Sequence, residues 1–66
     1  MTMDLRQLEA RIRQLYALDR NALEMYSSMS VLEQDENIKS VLVTLSREEA
    51  RHMQYSKEIL QLLGCE

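Results

Sequence analysis

The chain has 66 residues, a formal charge of −3, one cysteine, one glycine and no proline. A single chain this short buries too little surface to be comfortably stable without a staple, a metal or a partner, and Cys65 has no second thiol with which to form an internal disulfide. The eight basic residues are scattered among eleven acidic ones, which leaves no basic footprint for nucleic acid. No apolar run approaches the roughly 18 residues of a membrane span, and MTMDLRQLEA lacks the basic-then-apolar order of a secretion signal. A cytoplasmic protein, or one enclosed in a cytoplasmic protein compartment, is expected.

In chain order, the composition predicts a single all-α domain over residues 1–66. Alanine, leucine, glutamate, glutamine, arginine and methionine dominate, all good helix formers, and the β-branched cluster SVLVTL is short. Thr2 can cap a first helix over about residues 3–33, with Asp4 in its opening turn. The polar stretch EQDEN, residues 33–37, interrupts the apolar rhythm and predicts a turn at about 34–35. Asp35 then caps a second helix over about 36–63, Glu36 sits in its first turn where negative charge suits the dipole, and Gly64 ends it in a left-handed conformation.

The apolar positions carry more information than the composition. Leu5, Leu8, Ile12, Leu15, Asp19, Ala22, Tyr26 and Met29 follow a 3-4 alternation, as do Ile38, Leu42, Leu45, Glu49, His52, Ser56, Ile59 and Leu63. Leu18, Leu23, Met25, Leu32, Val41, Met53 and Leu60 widen these stripes beyond what one facing helix covers. An antiparallel two-helix hairpin that dimerises into a four-helix bundle is therefore the expected architecture, with a second copy of the chain as partner.

Three members of the stripes, Asp19, Glu49 and His52, are acids or bases that can carry charge near neutral pH. With Asp35 as pivot, Asp19 lies 16 positions before it and Glu49 and His52 lie 14 and 17 after it, so an even helical rise puts all three at one level. Such groups in an apolar layer need partners or a metal. Glu49 and His52, three apart on one helix face, are close enough to share an ion. Glu24 is five residues from Asp19 and rotated about 140° away. Glu48, four before His52, is a candidate acceptor for the imidazole N–H. Tyr26 is read as core packing with its hydroxyl reaching toward the site, and the methionines as core filler.

The motif REEARH, with Glu49 and His52, and LDRNALEMY, with Asp19 seven residues before Tyr26, resemble the ferritin-like superfamily, and most of all its half-length members, the encapsulated ferritins and rubrerythrin-like hairpins. The resemblance spans roughly residues 15–63. It implies that two hairpins together supply two Asp19, two Glu49 and two His52 to a di-iron centre, with Glu49 bridging the ions and Asp19 and His52 capping them. It further implies that these three are the catalytic residues of an Fe(II)-oxidising protein serving iron storage or detoxification. The family's first ligand is glutamate. Asp19 is one methylene shorter, which loosens the site, changes its metal or leaves this residue a bystander.

Hard carboxylate donors with one imidazole per metal suit iron or manganese. Peroxide reduction and manganese catalase chemistry remain open on the same scaffold. The terminal LLGCE carries no shell-targeting extension of the encapsulated kind and no cysteine pair suggests an electron-donor partner within the chain, so a protein shell or a donor stays open as a partner without support from the sequence. The competing class is a non-catalytic dimerising hairpin whose Asp19, Glu49 and His52 form a buried network that specifies pairing.

Overall fold

The computed structural model describes residues 3–65. They form two α-helices, α1 (Leu5–Leu32) and α2 (Glu36–Leu62), paired as an antiparallel hairpin 47 Å long and 18 Å across. Among the described residues no helix is long and apolar enough to cross a membrane.

The ends are written locally. Asp4 caps α1 and does not lie in its first turn as expected. Its carboxylate accepts from the Gln7 N–H at 2.8 Å while the Gln7 side chain accepts from the Asp4 N–H at 3.2 Å, a reciprocal pair that only a residue three ahead of the helix interior can make. Thr2, the expected cap, lies outside the described residues. At the turn, one Glu33 carboxylate oxygen accepts from the N–H groups of Gln34 and Asp35, and Asp35 Oδ1 accepts from those of Asn37 and Ile38. The three-residue connection therefore leaves few backbone donors to solvent. At the far end Gly64 has φ +80°, and the N–H groups of Gly64 and Cys65 bond to the carbonyls of Gln61 and Leu60. This paired closure needs the left-handed residue that glycine supplies.

Between the helices runs one stripe from each: Ile12, Tyr16, Asp19, Leu23, Tyr26 and Ser30 against Leu42, Ser46, Glu49, Met53, Ser56 and Leu60, all buried or half-buried. Ser27 and Ser46 hydroxyls meet at 3.3 Å near the turn, and Lys57 lies over the Tyr16 ring at 5.9 Å toward the open end. Glu9 accepts from Arg13 at 2.9 Å and neighbours the Cys65 thiol, and both contacts hold its carboxyl below the ordinary range.

This stripe corrects the expected one. Leu5, Leu15, Met29, Ile38, His52 and Ile59, expected in the seam between the helices, are exposed. The expected alternation mixes two faces. From Leu15 onward each helix repeats its inward pattern one residue earlier: Leu15, Leu18, the half-buried Ala22, Met25, Met29 and Leu32 on α1, and Val41, the half-buried Leu45, Glu48, His52, Tyr55, Ile59 and Leu62 on α2. One residue back is a rotation of about 100°, so every helix presents an inward face and, beside it, an open apolar one. Leu18 is 63% exposed, Met25 63% and Val41 59%.

The open face leaves a large surface. The hairpin exposes 5445 Å², whereas a compact monomer of 7.8 kDa exposes roughly 4,400 Å². Only Ile12 and Leu60 are buried apolar residues among those described.

Candidate metal centre

Near the middle of the hairpin, α1 contributes Asp19 and α2 contributes Glu49 and His52. One ligand atom from each lies within 4.8 Å of the others. Asp19 and Glu49 belong to the inward stripe and their side chains are 22% and 18% exposed; His52 belongs to the open stripe and is 56% exposed. The cluster therefore straddles the corner where the two faces meet. His52, expected within an apolar layer, stands at the rim of that layer in the single hairpin, because the one-turn step from Glu49 carries it about 60° round the helix toward the open side.

The imidazole distances suit an ion better than a hydrogen bond. His52 Nδ1 is 3.9 Å from Asp19 Oδ1 and 3.8 Å from Glu49 Oε2, beyond hydrogen-bonding range but within the roughly 4 Å that two bonds of about 2 Å span. Glu49 Oε2 is buried and no donor among the described residues hydrogen-bonds to it. A buried carboxylate oxygen without a donor is costly. The Asp19 carboxylate beside it, close enough to share a proton, pushes the Glu49 carboxyl above its ordinary range; burial and the charges of Asp19 and Glu48 add to this, while His52 opposes it. Two carboxylates and an imidazole converging on one point, one carboxylate oriented and unsatisfied, fit a hard or borderline divalent cation.

The other candidates lie elsewhere. Tyr26 is half-buried two turns along α1, and its hydroxyl makes no hydrogen bond to the cluster among the described residues. Glu48 is exposed on the open stripe and makes no hydrogen bond to the imidazole; it acts on the cluster by raising the Glu49 carboxyl through its charge. Glu24 pairs with Arg20 at 3.5 Å on the outer surface.

The apolar pattern alone does not decide which flanking residues go where. Leu23, Met53 and Leu60 turn inward, while Leu18, Met25, Leu32 and Val41 turn to the open face. The signal was the pair of alternations one residue apart.

No protein-family model matches the chain, and neither a characterised protein nor a solved structure does.

Proposed function

We propose that two hairpins pair through their open faces into a four-helix bundle of the ferritin-like kind, and that the paired clusters bind Fe(II) and oxidise it. The observation that carries this is Glu49 Oε2, buried and without a partner, aimed between Asp19 and a half-exposed imidazole. Two further features support it. Every helix of a four-helix bundle has two neighbours about a right angle apart, and each helix here carries two apolar faces about 100° apart. The cluster lies at the corner between those faces, the edge that points to a bundle's axis.

Pairing would bring a second Asp19, Glu49 and His52 to the same level, so that these six side chains would hold two iron ions. Each Fe(II) gives up one electron to O2, which takes two protons and leaves as hydrogen peroxide; with peroxide as oxidant the product is water. The four carboxylates favour the higher charge of the ferric product by plain Coulomb attraction. Glu49, whose carboxyl is pushed up in the metal-free hairpin by the neighbouring Asp19, would bind iron as the carboxylate, so that metal and proton compete for it. Asp19, the shorter acid, holds the ion from α1, and His52 closes the site from the open side. A bundle of four helices has no space for mineral, so storage takes place in a higher oligomer or a separate compartment. A cytoplasmic site for this chemistry belongs to the same proposal.

Admission of O2 to metal-free protein loaded anaerobically with Fe(II) tests it. Ferric absorbance should rise rapidly with about one O2 consumed per iron pair, and Glu49→Ala and His52→Ala should abolish both. Mn(II) loaded in the same way discriminates the two metals. A dimer that takes up neither metal would leave a buried Asp19–Glu49–His52 network that merely specifies pairing.

A further inference from the structure

We infer that the second copy seats with α2 against α2 and α1 against α1, and that Tyr55 of each protomer hydrogen-bonds Glu48 of the other. This rests on the pairing proposed above and adds its orientation and the polar contact that sets it.

The open face of α2 carries two polar groups besides His52. Glu48 and Tyr55 are both exposed, and neither makes a hydrogen bond or ion pair among the described residues. Once a second copy covers this face, the carboxylate needs a donor and the phenol an acceptor, since a buried polar group without a partner costs more than a made bond returns. Within one chain the two cannot meet: they lie seven residues apart, about 10 Å along the helix.

A twofold axis at the level of His52 solves this. It places residues that precede His52 on one α2 beside residues that follow it on the other. Glu48 is four before and Tyr55 three after, so each carboxylate meets the other protomer's phenol, twice by symmetry. The same operation sets Leu45 beside Ile59 and Val41 beside Leu62, apolar on apolar.

The other antiparallel arrangement, α2 against α1 of the partner, leaves the acid stranded. Asp19 lies level with His52 and Ser27 with Ser46 in the hairpin. Glu48 would then sit between Ala22 and Met25 of the partner, neither of which donates. The area is also in proportion. The surplus over a compact monomer, roughly 1,000 Å², is close to the roughly 800 Å² per partner that a stable interface covers.

Isotope-filtered NMR on an equal mixture of labelled and unlabelled protein tests the contact. Tyr55 ring protons of one chain should show cross-relaxation to the Glu48 side chain of the other. Tyr55→Phe should raise the dimer dissociation constant about tenfold, each dimer losing two modest hydrogen bonds, and should add nothing when Glu48 is already alanine. Cross-relaxation from Tyr55 to Leu15 and Leu18 in an intact dimer would overturn the orientation while leaving the pairing standing. A chain that stays monomeric would overturn both.

Discussion

The two long faces of the hairpin are chemically alike and structurally opposite. The inward face packs Ile12, Leu23, Leu42, Met53 and Leu60 with three serines between them, and it is buried or half-buried throughout. The open face holds apolar side chains of the same kinds, Leu15, Leu18, Met25, Met29 and Ile59, in the same alternation, yet these are exposed. The hydrophobic effect is indifferent to which chain supplies the cover. A face of this pattern, left bare by its own chain, speaks for assembly, whereas the inward face holds the two helices together. Asp19 and Glu49 sit on the first face and His52 on the second, so the candidate metal cluster depends on both.

Breaking the open face should have the largest effect. Leu18→Glu puts an unpaired charge into the proposed contact, a penalty on the order of 3 kcal/mol or more for each buried copy. Sedimentation should find a monomer at concentrations where the wild type is a dimer. Breaking the inward face should act on the hairpin itself. Leu60 is 3% exposed, and Leu60→Ala should cost about 2 to 4 kcal/mol in chemical unfolding.

The corner between the faces responds to pH. Because the Glu49 carboxyl is raised in the folded, metal-free chain, the folded state holds its proton more tightly than the unfolded state does. That contribution to stability is fully present below the ordinary carboxylate range and is lost as pH rises through the raised value. Metal-free protein should therefore melt higher at mildly acidic pH than at neutral pH, and Glu49→Gln should flatten the difference while abolishing metal uptake. The smallest effect belongs to the connection between the helices. Asp35→Ala removes the acceptor for Asn37 and Ile38 and should cost about 1 kcal/mol, equally in monomer and dimer.

Much of this was legible in the sequence because it is local or metrical. Asp35 caps α2 and Gly64 closes it in the left-handed region because those roles depend on a few neighbouring residues. Asp19, Glu49 and His52 converge because helical rise is constant and the turn is short. The start of α1 was read two residues early because Thr and Asp are both good caps, and the Gln7 side chain decides for Asp4. The faces were blurred for a deeper reason. Two 3-4 alternations offset by one residue interleave along the chain, and the apolar pattern alone does not say which of them the chain's own partner helix will cover. Leu15 and Leu23 are both leucines; only the hairpin geometry turns one outward and the other inward.

The most direct measurement is an anaerobic Fe(II) titration of metal-free protein followed by native mass spectrometry. Two iron ions should enter each dimer, with none bound to the Leu18→Glu monomer at the same concentration and none to the His52→Ala dimer. A dimer that stays metal-free through the titration, or a monomer that binds iron as tightly as the dimer, would contradict a site built at the corner of two faces and completed by a second chain.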